Sequence, residues 1–264
     1  MHMQVVTDLR NGNTLTLLLP SPEEQCLEGV PWGQAGVFFS PAFWKSRLWY
    51  ATNVTTHAYL DYDTGENLHD EVAACLLGGH GITSEMAQAA YAALHARGLL
   101  TPGERRRHAD IESVLLQPLS IPGNRTPVRY RFPNLKASYL TAALDRLDRE
   151  EPPSGDFEFR EWLRSMTGIG WKTASWVTRN WRHSNEVAII DIHVFRACSI
   201  AGIFQGSEEN ISTRYAALER RFLEFAHGIN EEPRRLDVLI WRMTKDAGSM
   251  ALAVYKGSYA ERVA

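Results

Sequence analysis

MTGIGWKTASWV, residues Met166 to Val177, places a turn of Gly168-Ile169-Gly170 directly before Trp171 and Lys172, and the residues beyond read as a helix to Trp181. Helix N-termini carry partial positive charge and favour anions. A lysine in the first turn is therefore electrostatically misplaced and needs a reason. Glycines let the backbone bend sharply and come close to a ligand, and the amides that open the second helix point at whatever anion sits there. Such a turn holds a phosphate through the backbone without reading sequence. An ordinary αα-turn also needs glycine for its bend, so Gly168 and Gly170 alone leave both readings open.

Lys172 adds chemistry. An amine near the positive end of a helix, flanked by Trp171 and Trp176, is disfavoured as a cation on both counts, and a lysine that gives up its proton is a nucleophile. Nineteen residues on, the apolar run Val187 to Ile190 ends in Asp191, followed by Ile192, His193 and a helical VFRACSI. Asp191 is placed to cap that helix. A carboxylate held by helix amides stays ionised and also stabilises a developing cation, so the two roles are compatible. Trp176, one turn after Lys172, shares its face.

With 264 residues the chain makes one large domain or two modest ones. It has no apolar run of about 18 residues, and its first residues, MHMQVVTDLRNG, do not form a secretory signal. A cytoplasmic protein with no membrane partner is expected. Cys26, Cys75 and Cys198 are far apart and form no CxxC pair, which argues against a disulfide framework or a thiolate metal cluster. The net charge of −3 argues mildly against a nucleic-acid partner. Between Arg160 and Cys198, however, six basic residues face three acidic ones, so the glycine turn lies in the basic part of an acidic protein.

Along the chain, residues 1–66 read as an irregular segment packing on a helical core, with a strand-like stretch at Thr14–Leu19 and an aromatic-rich section from Trp32 to Tyr50. Residues 67–264 read as the main domain. Helices are expected from about Leu68 to the GGHG break, from Ser84 with Thr83 or Ser84 as cap and Gly98 as stop, and over Asn134–Leu147, Phe157–Ser165 and Trp171–Trp181. Further helices are expected over Ser212–Ala226 and Arg235–Lys245, whereas Thr101–Pro127 reads as loop, with Arg105 to His108 a solvated basic face. The fold class is mostly α.

Taken together, Gly168, Gly170, Lys172 and the I-D-I-H segment with Asp191 and His193 resemble the helix-hairpin-helix DNA glycosylase superfamily, and within it the 8-oxoguanine DNA glycosylases. LDVLIW, Leu236 to Trp241, and YRFPNLKASYL, Tyr130 to Leu140, are similar to the compact prokaryotic branch. The resemblance implies two helical lobes with the active site in the cleft between them, and a monomer acting on double-stranded DNA that contains a damaged or modified base. It implies a glycosylase that also cleaves abasic sites, with Lys172 as nucleophile and Asp191 as the stabilising charge. Gly168, Gly170, His193 and Arg196 would contact DNA; Trp176, Asp237 and the Gly79 carbonyl would line the base pocket. No four-cysteine cluster is present, so no iron–sulfur cofactor is expected; carbonyls of Arg164, Met166 and Ile169 would hold a structural monovalent cation. Two alternatives stay open: a non-catalytic hairpin module that binds DNA through Lys172, and a related enzyme acting on another modified base in anti-phage defence.

Overall fold

The computed structural model describes residues 3–10, 13–54, 66–79 and 81–263. In chain order the elements are β1 (Gln4–Arg10), β2 (Asn13–Leu19), β3 (Gln25–Leu27), β4 (Val30–Pro31), α1 (Pro41–Val54), α2 (Leu68–Leu77), α3 (Ser84–His95), α4 (His108–Leu115), α5 (Pro133–Leu147), α6 (Asp156–Arg164), α7 (Trp171–Arg182), α8 (Ile192–Ile200), α9 (Ile211–Gly228) and α10 (Pro233–Val263). Helices dominate, as the periodicity implies. The chain divides into a unit of residues 63–184 and a second unit that joins residues 1–62 to 185–264. This division differs from the boundary expected at residue 66, because the N-terminal residues group with the C-terminal helices.

The unit of residues 63–184 is helical. Apolar residues recur at helical spacing in α2 (Val72, Ala73, Leu76, Leu77), α5 (Ala137, Leu140, Ala143, Leu144) and α7 (Ala174, Val177), and these faces are buried against one another with Phe159 and Leu163 of α6. Each large aliphatic side chain so removed from water contributes about 1.5–3 kcal/mol. Asn67 caps α2 by accepting the Asp70 N–H (3.0 Å), and Thr83 caps α3 by accepting the Met86 N–H (3.2 Å). Trp181, at the end of the α7 stripe, is exposed rather than part of this core.

Two expectations here are corrected. The stretch read as loop contains α4, whose Ile111, Val114 and Leu115 are buried. Its N-cap position is Arg107, which makes no side-chain cap bond, so the usual start signal is missing. The run Arg105 to His108 is not simply a solvated face. Arg106 is buried, donating to Asp148 Oδ2 and to the Thr101 carbonyl, each at 2.7 Å, while His69 Nε2 lies 2.7 Å from Asp148 Oδ1.

In the second unit β1 and β2 form an antiparallel hairpin and β3 pairs with β4. The aromatic-rich section is the helix α1, with Trp44 and Leu48 fully buried, so the N-terminal segment is more regular than expected. The last helix also runs beyond Lys245, broken at Gly248 where φ is +50° and ψ −117°. No helix among the described residues is long and apolar enough to cross a membrane.

Candidate active site

The Gly-Ile-Gly turn joins α6 to α7. Gly168 has φ +88°, and a Cβ there would overlap the Tyr139 ring, so this position requires glycine for both conformation and space. Gly170 is extended (φ −91°, ψ −176°) and is the N-cap of α7. No side chain caps this end and the first turn holds no acid, leaving its amides to an external acceptor. A Cβ on Gly170 would meet no neighbour within 4 Å, which leaves the approach to those amides open.

Around the turn the side chains are basic and aromatic. The Arg164 guanidinium stacks on Trp171 at 3.4 Å from the ring centroid, and that of Arg160 lies 4.9 Å from the same ring. The Met166 carbonyl accepts the Ile169 N–H at 3.1 Å. Lys172 is half-buried on the first turn of α7, its Nζ 5.6 Å from the Trp176 centroid. Trp176 is itself half-buried, with the Gly78 backbone against its ring: a Cβ there would be 3.7 Å from it.

Gly78 and Gly79 follow α2, and the chain there is held by a residue the sequence reading did not single out. Lys136 of α5 donates from Nζ to the carbonyls of Leu76 and Gly78, the latter at 2.8 Å, satisfying acceptors left open at the helix end. Burial first, and the charge of Lys172 second, push the Lys136 amine down to about 8. Gly79 has φ +127°, and its carbonyl accepts the Ile82 N–H at 3.1 Å. The signal for Lys136 was present within YRFPNLKASYL, but nothing in its spacing distinguishes it from an exposed lysine.

Beneath Lys172 lies a buried polar cluster. Asn180 donates to Glu71, Arg179 donates to Asn180 Oδ1 (2.7 Å), and the Cys75 thiol lies 3.3 Å from Glu71 Oε1. Burial and then Glu71 push the Cys75 thiol well up, against the opposing charges of Arg179 and Lys172, which makes it an inert thiol.

Asp191, His193, Arg196 and Asp237 belong to the second unit. Asp191 is the N-cap of α8, and both of its cap bonds fall on one oxygen: Oδ1 accepts the N–H groups of His193 (2.8 Å) and Val194 (2.9 Å). Oδ2 takes no hydrogen bond among the described residues. One oxygen thus fixes the group at the start of α8. His193 follows in the first turn of α8 and is half-buried.

One assignment changes here, and Arg196 gains a partner: it pairs with Glu208 through Nε (2.8 Å) and Nη2 (3.1 Å). Asp237 is 1% exposed, and its Oδ2 accepts the Ile189 N–H at 2.9 Å, so it holds backbone next to Asp191 rather than presenting an edge to a base.

Comparison with known proteins gives the family. The family model described as 8-oxoguanine DNA glycosylase matches residues 55–231. The chain is 32% identical over 126 residues to the 8-oxoguanine DNA glycosylase/AP lyase of Thermotoga maritima, covering 45% of this chain and 58% of the relative. It is 34% identical over 122 residues to the enzyme of the same name from Saccharolobus islandicus, covering 43% and 58%. The match therefore spans little more than half the length of these relatives. Among solved structures, the 8-oxoguanine glycosylase/lyase of Methanocaldococcus jannaschii in complex with a 15mer DNA containing 8-oxoguanine superposes with a TM-score of 0.56 at 22% identity, over 78% of this chain and 91% of that one. With the family match covering two thirds of the sequence, from the α2–α3 region through Lys172 and Asp191 to the end of α9, the chain belongs to the 8-oxoguanine DNA glycosylase family.

Proposed function

We propose that this protein is a bifunctional DNA glycosylase and abasic-site lyase that removes 8-oxoguanine from double-stranded DNA through a lysine Schiff base. One observation carries the reading: an uncapped helix opening on Gly168-Ile169-Gly170 sets Lys172 on one face with Trp176, in a chain of this family. The names of its relatives, glycosylase/AP lyase, support the same pair of reactions.

A base stacked in duplex DNA is out of reach, so the nucleotide is first turned out of the helix at a cost of a few kcal/mol. The opening amides of α7 hold a neighbouring phosphate, with Gly168 shaping the turn and Gly170 leaving room for it; His193 supports a second phosphate. As the glycosidic bond breaks, positive charge builds on C1′, which the ionised Asp191 stabilises. The amine of Lys172 gives up a proton and bonds to C1′, the base leaves with a proton, and ring opening gives an imine. Loss of a 2′ proton from that imine expels the 3′ phosphate and nicks the strand. Water then releases the lysine.

Trp176 stacks on the extruded base, beside the Gly78–Gly79 backbone. The carbonyls of Arg164, Met166 and Ile169 would hold a monovalent cation at the turn: Met166 O, which accepts the Ile169 N–H, has a second lone pair to offer. The ion would add positive charge beside the phosphate. The protein would act as a monomer in the cytoplasm, where its DNA substrate lies.

The test is a nicking assay on duplexes containing 8-oxoguanine, an abasic site, uracil or no damage. Preferential cutting of the 8-oxoguanine duplex supports the reading. Cutting of abasic DNA with no action on 8-oxoguanine would retain the lysine chemistry and overturn the substrate, in favour of another modified base.

A further inference from the structure

The four residues before Asp191 are buried, yet join no strand. Val187, Ala188, Ile189 and Ile190 are 0%, 0%, 8% and 1% exposed and belong to no sheet. Buried backbone groups need hydrogen-bond partners, and here side chains supply them one after another. Glu219 Oε1 accepts the Ala188 N–H (3.1 Å), Asp237 Oδ2 accepts the Ile189 N–H (2.9 Å), and the Tyr215 hydroxyl accepts the Ile190 N–H (3.1 Å) while donating to the Ala188 carbonyl (2.9 Å). Tyr215 and Glu219 are one turn apart on α9, and Asp237 is in the second turn of α10. All three are nearly fully buried, at 2%, 4% and 1% exposure.

We propose that Tyr215, Glu219 and Asp237 are positioning residues for Asp191: they clamp the buried segment that enters α8 and so fix where the unbonded Oδ2 of Asp191 is presented. The inference rests on the reading of Asp191 as the carboxylate that stabilises C1′. Three successive amides each held by a different polar side chain specify the path of the backbone more tightly than apolar contacts do. They end at the residue whose cap bonds use a single oxygen. A carboxylate that works by electrostatic preorganisation gains from such restraint, because a displacement of about 1 Å at a reacting group can lower a rate by 10²-fold.

The experiment measures single-turnover release of 8-oxoguanine at saturating enzyme, together with affinity for a duplex carrying an uncleavable abasic analogue. The variants are Tyr215→Phe, Asp237→Leu, Asp237→Asn, Asp191→Asn and the double variant Asp191→Asn/Asp237→Leu. Tyr215→Phe keeps the ring and removes both hydroxyl bonds; Asp237→Asn keeps an acceptor for Ile189.

The expected result is a loss of excision of about 10- to 100-fold in Tyr215→Phe and Asp237→Leu with affinity nearly unchanged. Asp237→Asn should recover most of that loss. The double variant should be no slower than Asp191→Asn alone, because residues acting through one group are not additive. Parental excision in Tyr215→Phe and Asp237→Leu, or fully additive losses in the double variant, would overturn the inference while leaving Asp191 in its role. Parental excision in Asp191→Asn would remove that role and the inference with it. Should Asp237→Leu fail to fold, Tyr215→Phe decides the matter.

Discussion

The Nζ of Lys172 stands 5.6 Å from the centroid of the Trp176 ring, one turn farther along the same helix. An amine and a flat aromatic surface therefore share one face, which suits the proposed stacking of a base beside Lys172. Trp176→Ala should lower excision of 8-oxoguanine by the worth of one stacked base, about 1–3 kcal/mol or 5- to 150-fold. Cleavage at a preformed abasic site, where no base is stacked, should change far less. A parallel fall in both activities would make Trp176 a support for Lys172 or the core instead.

Lys172→Gln should abolish both base release and strand cleavage, since the amine is the bond-forming atom in each, while affinity for duplex DNA stays within a few-fold because the α7 amides remain. Gel-shift and nicking assays on one preparation check this. A loss of binding as large as the loss of activity would show that Lys172 is a phosphate contact.

For Asp191→Asn the expected fall in excision is about 10²-fold or more, as when a preorganised charge is removed from a developing cation. Because both cap bonds fall on Oδ1 and asparagine caps as well as aspartate, the melting temperature should hardly move. Asp191→Ala should lose the same activity and about 1 kcal/mol of stability besides. Full activity in Asp191→Asn would leave only the capping role.

The two hairpin glycines should separate in the same way. Gly168→Ala puts a side chain at φ +88° and into the Tyr139 ring, and should destabilise the fold clearly. Gly170→Ala meets no neighbour and has an ordinary φ, so it should cost about 1 kcal/mol or less yet weaken DNA binding by crowding the phosphate. Thermal melts and affinity measured on both variants check the contrast, and unchanged affinity in Gly170→Ala would place the phosphate elsewhere.

Lys136 gives a pH-dependent signature. Its amine is pushed from 10.5 down to about 8, so folding disfavours the charged form. The neutral amine still has donors for Leu76 and Gly78. Its contribution to stability is complete above pH 10.5 and is lost as pH falls through about 8. The difference in unfolding free energy between the parent and Lys136→Met should accordingly rise with pH across that window; a flat difference would mean that Lys136 stays charged throughout. Comparing the two proteins cancels the groups of opposite sign, such as Cys26, which burial pushes up to about 11.

The helices from α2 to α9 were legible apart from α4, because apolar spacing and caps such as Thr83 are local signals. α1 and α4 were not. One is masked by aromatic residues on several faces, and the other starts at Arg107, which caps nothing. The hairpin turn, the first-turn position of Lys172 and the Asp191 cap were legible because those signals lie in spacing along the chain. The partners of Asp237 and Arg196 were not visible: Ile189 is 48 residues from Asp237, and Glu208 is 12 from Arg196. Lys136, Tyr215 and Glu219 went unnoticed for the same reason, since the carbonyls and amides they serve become neighbours only in the folded chain.

Lys172 and Lys136 both carry amines, and an amine that forms a Schiff base at C1′ cleaves abasic DNA. Reducing the reaction on an 8-oxoguanine duplex with borohydride, digesting the adduct and locating the sugar remnant by mass spectrometry distinguishes them. The account predicts the remnant on Lys172, in the peptide that opens α7. A remnant on Lys136, or release of the base with no trapped adduct at all, would contradict it.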